Sequence, residues 1–258
     1  MLGSPVQHSL SPVLHRAAYR ALGLTGWQYT AIECAEPQLA GVLAERADWA
    51  GFSCTMPLKR AVLRLAGSAS AEAVAIGAGN TLLPVPGGWC AENTDWRGIR
   101  DALAERGVRP RRVILLGAGG TAQAALAALP VDCEVTALVR EPARASELQA
   151  TADRLGRQLR VGRLGDPMAA DLVLSTLPPG VADPLADEVD APAVLDVVYA
   201  GWPTPLARAA AARGATVISG AAVLLHQAAG QVELMTERAA PVEAMRAALR
   251  AARPDCGC

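Results

Sequence analysis

Proton transfer is the first chemistry this chain suggests, because of one residue. Lys59 is the single lysine among 24 lysines and arginines in 258 residues. A chain that otherwise uses arginine has kept an ammonium at one place. A guanidinium stays protonated in proteins, whereas an ammonium can give up a proton and take it back. Lys59 closes the stretch Gly51-Phe52-Ser53-Cys54-Thr55-Met56-Pro57-Leu58-Lys59. A short apolar run, Trp49 to Phe52, and a Thr-x-Pro turn precede it, an arrangement in which a strand delivers a side chain into a cleft. The expected role is acid–base catalysis.

A second set of residues suits a dinucleotide. Gly117-Ala118-Gly119-Gly120-Thr121-Ala122 follows the largely apolar run Arg112–Leu116 and opens an alanine-rich stretch to Leu129. Between a buried strand and a helix, such a motif has a mechanism. Gly117 permits the tight turn, Gly119 lets the backbone approach a pyrophosphate, and Ala122 allows close packing of helix on strand. The helix N-terminus offers free N–H groups and a positive dipole end to the phosphates. The next strand ends Leu138-Val139-Arg140, with Arg144 four residues on. Two guanidinium groups there suit a 2′-phosphate, where an acidic residue would instead hold a ribose hydroxyl. Glu141 lies between them and could take that hydroxyl role, but the pair of arginines favours NADP.

Composition sets the frame. The net charge is −1 and apolar residues make up 52%, which leaves nothing to suggest nucleic acid, an acidic tail or disorder. No apolar run reaches the length of a bilayer span, and no basic segment precedes an apolar one at the start, so the expected compartment is the cytoplasm. The six cysteines read as reduced core thiols. Cys256-Gly257-Cys258 supplies only two soft ligands on a terminus, too few for a metal site. No metal or membrane partner is expected.

The elements that must position these residues alternate. Ser11-Pro12 reads as an N-cap followed by proline at the first helical position, with the helix ending near Gly23. Trp27 to Glu33 alternates like a strand and Pro37 to Arg46 has helical spacing. Gly79 to Pro84 and Trp89 to Glu92 flank Pro86-Gly87-Gly88, a hairpin signal. After a helix over Trp96–Glu105, strands are expected at Arg112–Leu116, Glu134–Val139, Leu159–Leu164, Asp171–Thr176, Ala193–Val198 and Ala215–Ser219. Six strands in this rhythm, with helices between, make a doubly wound parallel sheet. Helices from Gly220 to Met235 and from Val242 to Ala252 complete the chain. The fold class is α/β, in two domains.

Taken together the motifs resemble one family. Ser9-x-Ser11-Pro12, Thr55-Met56-Pro57-Leu58-Lys59, Gly79-Asn80-Thr81, Asn93-Thr94-Asp95, Gly117-Ala118-Gly119-Gly120 and Leu225-His226-Gln227-Ala228 are similar, in order and over essentially the whole chain, to the motifs of shikimate dehydrogenases. The resemblance implies NADP-dependent reduction of 3-dehydroshikimate to shikimate, on the way to aromatic amino acids. It implies a substrate-binding domain over 1–95, an inserted Rossmann-like NADP-binding domain over 96–219, and C-terminal helices, 220–258, returning to the substrate domain, with the active site in the cleft.

By the same likeness, Lys59 is catalytic with Asp95 orienting it. Ser9, Ser11, Thr55, Asn80, Asp95, Tyr199 and Gln227 hold the substrate's carboxylate and hydroxyls. Gly117, Ala118, Gly119, Gly120, Thr121, Arg140, Arg144 and Thr176 hold the cofactor, with Val197 and Gly220 at its nicotinamide end. The expected partner is the small-molecule substrate; the oligomeric state is not legible in the sequence, and a homodimer stays open.

The chain also departs from the family. Ser53 stands where an asparagine is usual, so one substrate contact is expected to be shorter or lost. Val139-Arg140-Glu141 replaces Asn-Arg-Thr, and only Met1 and Leu2 precede the Gly-x-Pro turn where relatives have a strand. A paralogue acting on quinate or an amino analogue of shikimate, or a non-catalytic NADP-binding regulator, remain the alternatives. His8 and His15 read as structural, and His226, on an apolar helix face, as a satisfied core histidine.

Overall fold

Apolar runs are short through residues 1–95, and so are the strands they form. The computed structural model, which describes residues 1–257, places β1 at Leu2–Gly3, β2 at Ile32–Glu33, β3 at Phe52–Ser53, β4 at Ser68–Ala69, β5 at Thr81–Val85 and β6 at Gly88–Glu92. Helices α1 (Ser11–Ala21), α2 (Leu39–Glu45), α3 (Lys59–Leu65) and α4 (Ala71–Ile76) lie between them. β1 and β2 pair in parallel, and the other four strands form a mixed sheet in the order β3-β5-β6-β4. A single bridge between Leu2 and Cys54 links the two sheets. Leu2, Phe52, Leu58, Val62 and Leu82 are fully buried together on this layer. Each such side chain contributes about 1.5–3 kcal/mol by leaving water.

The second part of the chain has longer, uniformly apolar strands. α5 (Asp95–Glu105) leads to β7 (Arg112–Leu116), α6 (Gly120–Ala128), β8 (Glu134–Val139), α7 (Ser146–Arg154) and β9 (Leu159–Arg163). Then follow β10 (Met168–Ala169), β11 (Leu172–Ser175), β12 (Val189–Asp190), β13 (Ala193–Asp196), α8 (Pro205–Ala212) and β14 (Thr216–Ser219). Six of these strands form one parallel sheet in the order β14-β13-β11-β7-β8-β9, and β10 pairs with β12 apart from it. Successive residues of β7 show why the run is apolar throughout. Val113 and Leu115 join one buried cluster, and Ile114 and Leu116 join the other. A strand covered on both faces has no polar side to present. This is the doubly wound α/β sheet expected from the strand rhythm.

α9 (Gly220–Thr236) and α10 (Val242–Ala252) end the chain. By contacts the chain divides into two units, 1–95 with 225–252, and 96–224 with 253–257. Cys258, half of the Cys-x-Cys tail, lies outside the described residues.

Two local expectations are corrected. Only Ile32–Glu33 of the Trp27–Glu33 stretch is strand. The alternation there comes from Tyr29 turning into the core, and the Tyr29 carbonyl accepts from Arg16 Nε and Nη2 at 3.1 and 2.9 Å. A side chain thus takes the acceptor a neighbouring strand would need. Ser11 is not an N-cap. α1 begins at Ser11 with Leu10 in the cap position, and the Ser11 N–H donates to Ser9 Oγ at 3.2 Å.

His15 ties α1 to α9 from a fully buried position. Its Nε2 lies 3.3 Å from Gln231 Oε1, and its ring stacks on Tyr29 at 4.0 Å between centroids. Burial pushes its pKa down to about 3, against a raising hydrogen bond from Gln231 and with a further lowering effect of the Met1 ammonium. Tyr29 and Tyr19, the other titratable groups against the ring, are themselves pushed upward by burial and stay neutral. An unfolded histidine titrates near pH 6.5, so below that pH only the unfolded chain takes up this proton. The folded state is therefore fully favoured above about pH 6.5 and loses about 1.4 kcal/mol per pH unit as pH falls toward 3. Between pH 7 and pH 5, denaturant unfolding should show a loss in the wild type larger by about 2 kcal/mol than the loss in His15→Gln. Equal losses in both proteins would assign the acid sensitivity to another group.

Candidate active site

Three segments that were separate motifs in the sequence meet in the first unit. Lys59 opens α3 directly after the turn in which the Leu58 N–H donates to Thr55 O at 2.8 Å. Asp95 opens α5, its N–H held by Asn93 Oδ1 at 2.9 Å. Asn80 immediately precedes β5, and its backbone N–H donates to Glu92 O at 2.9 Å, which binds the hairpin's open end. Each functional side chain therefore sits at an element's edge, on backbone fixed by that element.

Lys59 Nζ donates to Asp95 Oδ2 at 2.5 Å, with side chains 27% and 16% exposed. The second carboxylate oxygen accepts from Asn80 Nδ2 at 2.9 Å. Asn80 Nδ2 also faces Thr94 Oγ1 at 3.0 Å and Gln227 Oε1 at 3.3 Å, while Asn80 Oδ1 accepts from the Thr94 N–H at 2.8 Å. The buried Asn80 is thus the hub of the site and more than a turn residue. A half-buried ammonium and carboxylate with water access on one side can pass a proton to a bound oxygen.

Ser9 and Ser11 form a hydroxyl pair, Oγ to Oγ at 3.2 Å. Thr55 is half-buried at the head of the turn. Ser53 is buried and donates to Gln231 Oε1 at 2.9 Å, so the residue in the place of the family's usual asparagine is answered by an amide from α9. The Tyr29 hydroxyl is buried and without a hydrogen-bond partner. Cys54 is buried and its thiol is pushed up to about 12, which leaves it inert. His226, half-buried, is not the core histidine expected, while His15 is. Sequence reasoning missed Gln231. The signal available was its position one helical turn after Gln227, on the same face of α9.

The second unit carries the residues assigned to a cofactor. The loop between β7 and α6 turns at Gly117, whose φ of +102° favours glycine, and a Cβ there would lie 2.7 Å from Thr176 Oγ1. Thr176 at the end of β11 donates its hydroxyl to Leu116 O at 2.8 Å, so the ends of the two strands are joined where the strand order reverses. A cavity of about 280 Å³ opens there, lined by Gly117, Ala118, Gly119, Arg140, Glu141 and Arg144 among others.

A Cβ on Gly119 would project into open space, and no side chain caps the start of α6. That leaves helix N–H groups and two exposed guanidinium groups facing one cavity, a donor set that fits a phosphorylated dinucleotide. Arg144 Nε is 3.8 Å from Glu141 Oε2, a solvated pair. Gly220 is a glycine for another reason: a Cβ there would stand 1.8 Å from Val197 O. Val197 and Gly220 are thus neighbours, while Tyr199 lies half-buried two residues beyond Val197.

Among the described residues, no three His, Cys, Asp or Glu side chains gather to hold a metal ion, and no helix is long and apolar enough to cross a membrane.

The chain is similar to known proteins over nearly its whole length. Family models for the shikimate dehydrogenase substrate binding domain and the shikimate 5'-dehydrogenase C-terminal domain match residues 1–82 and 220–250. A curated shikimate dehydrogenase (NADP(+)) from Halobacterium salinarum is 37% identical over 97% of each chain. The crystal structure of Mycobacterium tuberculosis shikimate dehydrogenase superposes with a TM-score of 0.90, at 43% identity over 97% of each chain. The Thermus thermophilus enzyme, solved in complex with NADP(H) and shikimate, gives 0.87 at 35% identity over 97% of each chain. With relatives this similar over nearly its full length, the chain belongs to the shikimate dehydrogenase family.

Proposed function

We propose that this protein reduces 3-dehydroshikimate to shikimate with NADPH, and catalyses the reverse oxidation, as a step toward the aromatic amino acids. The observation that carries the reading is the Lys59–Asp95 pair, 2.5 Å apart and braced by Asn80, in a chain of this family. A biosynthetic step run on NADPH points to the cytoplasm as its compartment.

NADPH supplies the hydride when bound; the chain's own residues must orient both partners and move one proton. In reduction Lys59 gives a proton to the carbonyl oxygen, and in oxidation it takes the proton back from the hydroxyl. Asp95 holds the ammonium in place and accepts from a substrate hydroxyl. The Ser9–Ser11 hydroxyl pair and Thr55 suit the substrate carboxylate. Asn80, Gln227 and Tyr199 serve the ring hydroxyls with donors and acceptors that a polyol can use on either side. Gly117 to Thr121 and Thr176 would seat the pyrophosphate, Val197 and Gly220 would lie at the nicotinamide end, and Arg140 with Arg144 would hold the 2′-phosphate.

The direct test is steady-state oxidation of shikimate and quinate, each with NADP+ and NAD+, followed by absorbance of the reduced nicotinamide. The highest kcat/KM is expected for shikimate with NADP+. Faster turnover of quinate would assign the protein to the paralogous activity, and no turnover of either would leave a binding protein. In the same assay Lys59→Arg should retain fold and cofactor binding yet lose a factor of about 10² to 10⁴ in kcat, because arginine cannot exchange the proton. If that variant kept more than half the wild-type rate, Lys59 would not be the proton carrier. Arg140→Ala should raise KM for NADP+ about tenfold to a hundredfold, the value of a charge-assisted hydrogen bond of about 1.5–3 kcal/mol, and leave NAD+ nearly unaffected. Equal effects on the two cofactors would show that Arg140 does not read the phosphate.

A further inference from the structure

Gln231 is a polar side chain 2% exposed in the middle of α9, and all its hydrogen-bonding capacity is in use. Its Nε2 donates to Asn80 O at 3.1 Å and Thr81 Oγ1 at 3.0 Å. Its Oε1 accepts from Ser53 Oγ at 2.9 Å and faces His15 Nε2 at 3.3 Å. A backbone carbonyl can only accept, so the contact to Asn80 O decides which end of the amide carries the hydrogens. His15 Nε2 must then be protonated, because it faces an acceptor.

From Gln231 onward every direction follows. Thr81 Oγ1 accepts from Gln231, which turns its own hydrogen toward Asn80 Oδ1 at 2.9 Å. Asn80 Oδ1 also accepts from the Thr94 N–H, so its amide nitrogen faces the other way and donates to Asp95 Oδ1. Asp95 in turn presents Oδ2 to Lys59. We propose that Gln231 is a positioning residue for the reaction: through Thr81 and Asn80 it sets the orientation of Asp95, and so the aim of the Lys59 ammonium, with His15 and Ser53 holding the amide from behind. The inference rests on the reading of Lys59 and Asp95 as the proton-transfer pair. It gives Ser53 a role as well. Its hydroxyl is spent on Gln231, and it acts on the site from behind.

The relay has a structural alternative, in which Gln231 merely fills and satisfies the core under α9. The two roles separate in kinetics. Loss of aim slows turnover at saturating substrate, whereas loss of packing lowers stability and leaves kcat alone. The experiment measures shikimate oxidation with NADP+ in the wild type, Gln231→Met, Thr81→Val and the double variant, with melting temperatures alongside. Gln231→Met keeps length and packing while removing the amide. It should lower kcat about tenfold to a hundredfold, with KM for NADP+ within about twofold of the wild type.

Thr81→Val cuts the same relay one link later and should lower kcat similarly. The double variant should lose no more than the worse single variant, since both act along one path. A folded Gln231→Met with kcat within about twofold of the wild type overturns the inference, as does additive loss in the double variant. Where Gln231→Met does not fold, Thr81→Val is judged by the same kcat criterion. A wild type inactive on shikimate would remove the functional reading itself, and this inference with it. A wild type that is active beside an unaffected variant removes this inference alone.

Discussion

The contact between the Lys59 ammonium and the Asp95 carboxylate is the constraint around which the first unit is built. Two opposite charges drawn partly out of water lose hydration, and they recover it only if geometry and further hydrogen bonds are good. Here one carboxylate oxygen takes the ammonium and the other takes the Asn80 amide. Asn80 can serve because its side-chain oxygen is pinned by the Thr94 N–H and the Thr81 hydroxyl, and its backbone by Glu92 O. The Gly79-Asn80-Thr81 and Asn93-Thr94-Asp95 segments are thereby parts of one device. They lie at the open end of the β5–β6 hairpin, where Thr81 pairs with Glu92.

That device is also where the unit bears its risk. Asn80, Thr81, Thr94, Ser53, Gln231 and His15 are all buried polar groups. A satisfied hydrogen bond contributes about 1 kcal/mol net, and an orphaned partner costs about 1–3 kcal/mol. A network of this kind stabilises only when complete, and its value lies in admitting one arrangement of side chains. Two atoms next to it are without partners, His15 Nδ1 and the Tyr29 hydroxyl. They mark the edge of the satisfied region.

The second unit solves a different problem by different means. A dinucleotide is long and charged at its middle, and backbone N–H groups with two guanidinium groups can meet it without a buried network. Segments of the chain also come close to one another there, and glycine permits it. At Gly117 the obstacle to a side chain is Thr176, whose hydroxyl ties two strand ends together, and at Gly220 it is the backbone of Val197. The first unit thus depends on complete hydrogen bonding, the second on missing side chains.

The sequence alone determined what local chemistry and one-dimensional pattern can determine. Val113 to Leu116 read as a doubly buried strand because burial on both faces leaves an unbroken apolar run, and the glycine loop read as a phosphate cradle because its glycines fall between that strand and a helix. Lys59 stood out because it is the chain's one lysine. Tertiary structure decided the rest. Trp27 to Thr30 alternate as a strand would, yet Arg16 takes the Tyr29 carbonyl, and no pattern within the segment reports a competitor from another helix. Gln231 on an apolar helix looks like a solvated residue until Ser53, 178 positions away, and Asn80, 151 positions away, are folded against it. A side chain's propensity is a property of its neighbours in sequence. The use of an amide's four hydrogen-bonding positions is a property of its neighbours in space, and only the folded chain brings those together.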